Sequence, residues 1–150
     1  MLRQLTMAPR SRVELERKLA QRGCDPDVAR VVLDRMEQVG LVDDAAYAAM
    51  FVRSKQSTRG LAKTALRGEL RRKGVPAEVL EGALDQVSEA DERDEAVRLV
   101  AKKLATMHGL PAATQARRLA GMLARKGYPG SLAHQVVREA LAAAPEHQRD

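Results

Sequence analysis

The nonapeptide LRGELRRKG at residues 66–74 carries the pattern on which the fold prediction rests. Leucine stands eight and four residues before its final glycine, and a basic residue stands directly before that glycine. The segments LERKLAQRG at residues 15–23 and LAGMLARKG at residues 119–127 repeat the pattern. Leucines four residues apart share one face of a helix, and a glycine supplies the left-handed conformation that ends one. Three copies of one helical unit are therefore predicted.

The similarity between the copies continues past the glycine, which predicts a second helix in each copy. Apolar residues recur five, nine and ten positions after it, namely Val28, Val32 and Leu33, then Val79, Ala83 and Leu84, then Leu132, Val136 and Val137. Asp25 followed by Pro26 is typical of a helix start. Asp43 and Asp44 predict the start of a third helix that runs to about Ser57.

We therefore predict an all-α chain of tandem three-helix repeats in three copies. Residues 1–58 form the first repeat and residues 59–110 the second. Residues 111–141 form a third repeat that is shortened to two helices, and a polar tail follows at residues 142–150. Residues 1–7 are interpreted as the remnant of an earlier helix. Because such repeats contact mainly their neighbours, the array should be elongated, with a radius of gyration clearly above the roughly 15 Å of a compact globule of this length.

The composition describes a basic chain that is poor in aromatic residues. It has 150 residues, a net charge of +6 and 2% aromatic residues, and a basic balance favours a polyanionic partner. The single cysteine, Cys24, allows no intramolecular disulfide, which fits a reducing cytoplasm. The longest apolar run is too short to cross a membrane, and the first residues lack the apolar core of a signal peptide. We expect a cytoplasmic protein that does not bind membranes.

Charge is segregated along the chain. Residues 53–73 hold eight basic residues opposed only by Glu69, residues 75–95 hold eight acidic residues opposed only by Arg93, and residues 96–138 contain no acidic residue. The candidate residues for binding a polyanionic partner are basic and fall in the first and third of these segments. They are Arg53, Lys55, Arg59, Lys63, Arg67, Arg71, Arg72, Lys73, Arg98, Lys102, Lys103, Arg117, Arg118, Arg125 and Lys126.

Four of the candidates, Arg59, Lys63, Arg67 and Arg71, recur every four residues. They are predicted to line one helix face without acidic partners, although like charges at this spacing repel mildly. The functional interpretation is a surface that contacts phosphate or carboxylate groups; the structural one is a solvated basic face. The acidic block at residues 75–95 is interpreted as a solvated face or an intramolecular counterweight, or alternatively as a contact with a basic patch on a partner.

Gly68 and Gly121 each stand six residues before the glycine that ends their helix. A glycine inside a helix costs about 1 kcal/mol relative to alanine. Either these glycines are merely tolerated, or a second helix approaches so closely that a side chain is excluded.

No motif for catalysis or for a bound cofactor is found in the sequence. A glycine-rich phosphate loop is missing, and the three histidines, His108, His134 and His147, are scattered. We therefore expect no metal and no cofactor, and we do not expect an enzyme. Three dispersed aromatic rings cannot form a stacking platform for single strands, so nucleic acid would be contacted through its phosphates.

Four segments in order resemble the RecX regulatory proteins of bacteria. They are SRVEL at residues 11–15, GLVDDAAYAAMFVR at residues 40–53, ELRRKGV at residues 69–75 and LARKGY at residues 123–128. The resemblance covers roughly residues 5–141. It implies three tandem three-helix repeats in a curved, elongated body, and it names no catalytic residues.

The resemblance also implies a function. Proteins of this family lie in the groove of the filament that recombinase RecA forms on DNA, and they damp its ATPase, strand-exchange and coprotease activities. A monomeric inhibitor of RecA in homologous recombination and the SOS response is therefore expected, with single- and double-stranded DNA contacted through phosphates.

Two other functions are compatible with the residues alone. A DNA-binding protein of helix-turn-helix type would read bases from the start of a recognition helix, for which Gln115, Arg117 and Arg118 are the candidates. A solenoid scaffold would use stacked repeats to bind proteins only. Binding of random DNA with and without RecA would separate these functions.

Overall fold

The computed structural model describes residues 10–147, and all regular structure in this range is helical. The eight α-helices are α1 (Arg12–Gln21), α2 (Pro26–Gln38), α3 (Asp44–Arg59), α4 (Lys63–Arg72), α5 (Ala77–Leu84), α6 (Glu89–Leu104), α7 (Ala112–Arg125) and α8 (Gly130–Ala143), and a 3-10 turn follows at Pro145–His147. The prediction of an all-α chain is confirmed. The helix remnant predicted at residues 1–7 and the end of the polar tail lie outside the described residues.

The three glycines of the repeated pattern end helices as predicted. Gly23, Gly74 and Gly127 have φ of 77°, 80° and 92° and follow α1, α4 and α7. In each case the glycine N–H donates to a carbonyl three residues earlier, and the next N–H donates to a carbonyl five residues earlier. This pair of hydrogen bonds is the Schellman motif, which satisfies carbonyls that the helix end would otherwise leave without donors.

Side chains at the predicted helix starts satisfy the first main-chain N–H groups. Asp25 accepts from the N–H groups of Asp27 and Val28, with Pro26 as the first helical residue. Asp43 accepts from the N–H of Ala46 at 3.1 Å. Because such caps replace hydrogen bonds that the first turn lacks, each contributes about 1 kcal/mol.

The chain divides into two compact units. Of the described residues, the first unit comprises residues 10–54 and 67–86, and the second comprises residues 55–66 and 87–147. The first unit has a core cluster of Leu15, Leu33, Met36 and Val42. In the second unit α6, α7 and α8 pack around a cluster that includes Val100, Leu119, Leu123 and Val136. Burying one such leucine contributes roughly 1.5–3 kcal/mol, so these clusters hold the helices in each unit.

Within the first unit, the turn after α4 docks on the start of α1. The hydroxyl of Ser11 donates to the carbonyl of Lys73 at 3.0 Å. A Cβ added at Gly74 would lie 2.5 Å from the Cβ of Val13. The glycine is therefore needed twice, once for its positive φ and once because the start of α1 occupies the space of a side chain.

Within the second unit, the turn after α7 docks on the start of α4 in the same manner. The N–H of Ala62 donates to the carbonyl of Lys126 at 2.9 Å, and the hydroxyl of Tyr128 donates to the carbonyl of Gly60 at 2.9 Å. A Cβ at Gly127 would lie 2.7 Å from the Cβ and the main-chain nitrogen of Ala65. The repeated sequence pattern thus produces the same kind of junction in each unit.

The predicted repeat boundaries fall at helix ends or connections. The boundary after residue 58 lies at the end of α3, and that after residue 110 lies between α6 and α7. The helices themselves do not fix where a repeat begins, so these boundaries remain a prediction. Over residues 10–147, no helix combines the length and apolar content that crossing a bilayer requires.

Candidate nucleic-acid interface

The predicted basic stripe is not one helix face. Arg59 is the last residue of α3 and Lys63 is the first of α4, so the four-residue spacing crosses a break. Gly60 between them has φ of 62°, a left-handed conformation that ends the helix. The prediction that Arg59 shares a face with Lys63, Arg67 and Arg71 is therefore wrong.

Arg67 also has the acidic partner that was not predicted. Its Nε donates to Oε1 of Glu81 at 2.6 Å, and its Nη2 donates to Oε2 at 3.2 Å. This two-pronged contact joins α4 to α5 over fourteen positions, so no local pattern reveals it. Glu81 belongs to the acidic block at residues 75–95, so this pair agrees with the interpretation of that block as an intramolecular counterweight.

Three further candidates are engaged within the chain. Arg98 binds Glu95, with a distance of 3.0 Å from Nε to Oε2, and this hydrogen bond raises the pKa of the guanidinium. Nζ of Lys73 lies 3.6 Å from Oε1 of Glu14. Nζ of Lys126 donates to the carbonyl of Arg59 at 2.6 Å. These side chains have structural contacts that account for their positions.

The remaining candidates divide by exposure. Lys55 and Lys63 are half-buried, whereas Arg59 is exposed. Eight others are exposed and form no ion pair with any residue between 10 and 147. They are Arg53 on α3, Arg71 and Arg72 on α4, Lys102 and Lys103 on α6, and Arg117, Arg118 and Arg125 on α7. The two lysines stand in the last turn of α6, where positive charge is favoured by the helix dipole.

The solvent face of α7 has a glycine at its centre. Gln115, Leu119 and Leu123 are buried on one face, and at 100° per residue Gly121 lies opposite them. Arg117 and Arg118 precede this glycine by one turn and Arg125 follows it by one turn. Because residues 96–138 contain no acidic side chain, the face is positive without local compensation.

The solvent face of α4 has the same organisation in the first unit. Leu70 is fully buried, and Gly68 lies on the opposite side of the helix. Arg71 and Arg72 follow Gly68 by one turn and are exposed. Gly68 and Gly121 occupy the same position in their copies of the repeated pattern.

The close helix–helix approach considered for these two glycines is wrong. The closest atom to a Cβ added at Gly68 is Nη1 of Arg72, at 3.7 Å. For Gly121 the closest atom is Nη1 of Arg125, at 3.2 Å. Both guanidinium groups belong to the same helix as the glycine, four residues further on, so each arginine lies over a glycine instead of beside a second helix.

Gln115 is unsuited to reading base edges, which removes a candidate of the helix-turn-helix interpretation. Its side chain is fully buried. It donates to the carbonyl of Met107 at 2.8 Å and to Oε1 of Glu146 at 3.1 Å. Its donors are thus used to hold the loop before α7 and the 3-10 turn after α8.

The two buried tyrosines were not predicted to have hydrogen-bond roles. Tyr47 donates to Oε1 of Glu14 at 2.9 Å, and Tyr128 donates to Gly60. Burial raises the pKa of both hydroxyls, so they stay protonated donors at neutral pH. Among the described residues no group of three histidine, cysteine, aspartate or glutamate side chains could hold a metal ion.

Comparison with known proteins identifies a family along most of the chain. Models of the first, second and third three-helix domains of RecX match residues 1–36, 43–84 and 91–137. The chain is 46% identical over 142 residues to the regulatory protein RecX of Thermobifida fusca (strain YX), covering 95% of this chain and 77% of that protein. It is 45% identical over 152 residues to the regulatory protein RecX of Mycolicibacterium smegmatis, covering 99% and 81%.

Solved structures show the same fold. A crystal structure of RecX from Lactobacillus salivarius superposes with a TM-score of 0.82 and 21% identity, over 92% of this chain and 90% of that one. A crystal structure of a regulatory protein RecX superposes with a TM-score of 0.81 and 24% identity, over 93% and 68%. The family models begin their second and third domains near the starts of α3 and α6, whereas the predicted repeats end near the ends of α3 and α6.

Proposed function

The chain belongs to the RecX family of regulatory proteins, and on that premise we propose that it binds the filament of recombinase RecA on DNA and inhibits the recombinase. It would act in the cytoplasm as a monomer, in the control of DNA repair, homologous recombination and the SOS response. Regulation by binding needs neither a cofactor nor catalytic residues, so the protein would not be an enzyme. The observation that carries the proposal is the set of exposed arginines on α4 and α7 that have no acidic partner among residues 10–147, in a chain with this family membership.

The physical basis of binding would be electrostatic. Arg117, Arg118 and Arg125 on α7, and Arg71 and Arg72 on α4, present guanidinium groups that can bind phosphate in a two-pronged geometry. Each phosphate that they neutralise releases condensed counterions, so affinity should fall as salt rises. The filament offers both DNA phosphates and a protein surface, and inhibition would follow from occupying it.

The experiment measures the DNA-dependent ATPase of RecA against increasing amounts of this protein at two salt concentrations. We expect inhibition that weakens at the higher salt. The double variant Arg117→Glu with Arg118→Glu should inhibit at least about tenfold less well, since each lost charged contact contributes about 1.5–3 kcal/mol and a tenfold change corresponds to about 1.4 kcal/mol.

The matched control is Arg30→Glu with Arg35→Glu. It makes the same change in net charge on α2, where both residues are exposed and neither is a candidate. The control should inhibit like the wild type. Equal loss of inhibition in both double variants would mean that only net charge matters, and no inhibition by the wild type would contradict the proposed function.

A further inference from the structure

The second and third copies of the repeated pattern differ at two equivalent positions, which lie seven residues before and seven residues after the glycine that ends the pattern. In the second copy these positions hold Arg67 and Glu81, whose two-pronged ion pair joins α4 to α5. In the third copy they hold Ala120 on α7 and His134 on α8. The third copy therefore lacks the long side chains that cross between the two helices in the second copy.

A concavity of about 570 Å³ lies at this place in the third copy. Its lining includes Ala120 and Ala124 of α7, and Ala133 and His134 of α8. Ala133 is buried, whereas Ala124 and His134 are exposed. The concavity thus has a floor of methyl groups and opens to solvent, and its size lies in the range of sites that bind a molecule or a protruding side chain.

The first copy has a different lining at the equivalent place. Its concavity is smaller, about 350 Å³, and it is lined in part by Glu16, Asp27 and Arg30. Removing water from charged groups is costly unless each one is paired, so an apolar side chain gains little there. Of the three copies, the third is the one whose concavity suits an apolar side chain.

Positive charge stands beside the concavity of the third copy. Arg117 precedes Ala120 by about one turn of α7, and Arg138 follows His134 by one turn of α8, so each lies next to a lining residue on its own helix. Both arginines are exposed and have no ion pair with any residue between 10 and 147. Because residues 96–138 contain no acidic residue, a partner that covers the concavity should carry negative charge.

The two features together favour a protein segment as the occupant. A nucleic-acid backbone would satisfy the arginines, but it offers no apolar group for the methyl floor, and burying a phosphate there would cost free energy. Residues that dominate protein–protein binding are typically large side chains seated in pockets that exclude water, with polar contacts at the rim. An acidic segment with one large apolar side chain matches both the floor and the rim.

We propose that the concavity between α7 and α8 binds a protein segment that presents one large apolar side chain beside acidic residues. The apolar side chain packs against Ala120, Ala124 and Ala133, and the carboxylates pair with Arg117 and Arg138. This inference rests on the proposed function, which makes RecA the protein that carries the segment. It adds an apolar contact with protein to the electrostatic contact with the filament.

The main variant is Ala120→Arg with His134→Glu, which transfers the ion pair of the second copy to the same positions of the third. It fills the concavity without changing the net charge, and the second copy shows that such a pair fits between these helices. The assay is the DNA-dependent ATPase of RecA against increasing amounts of the full-length protein. Half-inhibition should require at least about tenfold more variant than wild type, which corresponds to about 1.4 kcal/mol and lies within what burial of one large apolar side chain contributes.

A second variant fills the concavity without adding charge. Ala124→Leu places an apolar side chain where that of the partner would lie, and it should also weaken inhibition at least about tenfold. Since Ala124 is exposed and leucine is a good helix former, this variant should keep its fold. Circular dichroism and urea unfolding check that both variants remain helical and stable.

The matched control is Ala45→Glu with Ala46→Arg. It adds the same two charges at exposed positions of α3, which lie away from the concavity in the sequence and in the other unit. The control should inhibit RecA like the wild type. Binding of each protein alone to a fluorescent DNA duplex of random sequence provides the second measurement, and both concavity variants should bind it within about twofold of the wild type.

The outcomes separate this inference from the proposed function. Weaker inhibition by both concavity variants, with unchanged control and unchanged binding to the duplex, supports the inference. Inhibition like that of the wild type by Ala124→Leu overturns it and leaves the proposed function standing. An equal loss of duplex binding and inhibition in both variants means that the concavity takes nucleic acid, and the inference is wrong. A wild type that does not inhibit RecA contradicts the proposed function and the inference with it.

Discussion

Replacement of Gly74 by alanine tests the junction between the turn after α4 and the start of α1. The added methyl group faces two penalties. The backbone has φ of 80°, a left-handed conformation that costs a residue with a Cβ about 1–2 kcal/mol. The Cβ would also lie 2.5 Å from the Cβ of Val13 and 2.6 Å from its methyl carbons, which forces the kind of rearrangement that costs about 1–3 kcal/mol in a packed site.

Gly23→Ala is the matched control for the backbone penalty. Gly23 has φ of 77° and ends α1 with the same hydrogen bonds, but nothing lies within 4 Å of its added Cβ. We expect a loss of about 1–2 kcal/mol in the free energy of unfolding for Gly23→Ala and of about 2–5 kcal/mol for Gly74→Ala. Urea unfolding followed by circular dichroism gives both values.

A second change isolates the overlap from the backbone strain. Val13→Gly removes the side chain that the new methyl group would strike. If the overlap is real, Gly74→Ala should be less destabilising in the Val13→Gly background by about 1–3 kcal/mol, measured as the coupling in a double-mutant cycle. Equal destabilisation by Gly74→Ala and Gly23→Ala, together with no coupling to Val13, would refute the reasoning.

Three other changes test contacts within the individual units. Tyr128→Phe should lower the free energy of unfolding by about 1–3 kcal/mol in urea unfolding, because it leaves a buried main-chain carbonyl without its donor. Arg12→Lys should lower the free energy of unfolding by about 1–2 kcal/mol, because one ammonium cannot replace a guanidinium that binds three carboxylates on α1 and α2. The control Arg30→Lys, at an exposed site, should change this free energy by less than about 0.5 kcal/mol. The hydrogen bond from Gln115 lowers the pKa of Glu146 below its ordinary value of 4.5. The ionised carboxylate should therefore fully stabilise docking of the 3-10 turn above pH 4.5, and this stabilisation should be lost as the pH falls through the lowered pKa. Amide chemical shifts of the turn, measured against pH, would report the loss.

The helix ends could be predicted from the sequence because they depend on local chemistry. A Schellman motif needs a residue that tolerates positive φ at one position and a helical pattern before it, and both are visible in the segment at residues 66–74. The same holds for Asp25 before Pro26, where the cap and the first helical residue are neighbours. No information about the rest of the fold is required for either feature.

The basic stripe could not be predicted correctly because its geometry depends on more than spacing. A four-residue recurrence indicates one helix face only if the helix is continuous, and Gly60 ends α3 inside the recurrence. The glycine was visible in the sequence, and it is the one local signal that could have separated Arg59 from Lys63. The pairing of Arg67 with Glu81 had no such signal, because it depends on how α5 packs against α4.

The glycines show how one residue type serves different purposes that only the folded chain distinguishes. Gly23 provides positive φ alone, Gly74 and Gly127 provide positive φ and room for a neighbouring helix start, and Gly68 and Gly121 provide neither. Sequence position alone indicated that the last two were unusual, but it suggested a buried contact where the structure has an exposed face. Distinguishing these cases requires the atoms that surround an added Cβ.

The repeat junctions depend on main-chain carbonyls and not on the arginine side chains beside them. Each junction is made through the main chain of the residue before the glycine, since the carbonyls of Lys73 and Lys126 accept the hydrogen bonds from the neighbouring helix start. Arg72 and Arg125, one residue earlier, contribute no side-chain hydrogen bond or ion pair to these junctions between residues 10 and 147. The hydroxyls of Ser11 and Tyr128, main-chain groups and glycines form these junctions, so the junctions place no constraint on the exposed guanidinium groups of Arg72 and Arg125.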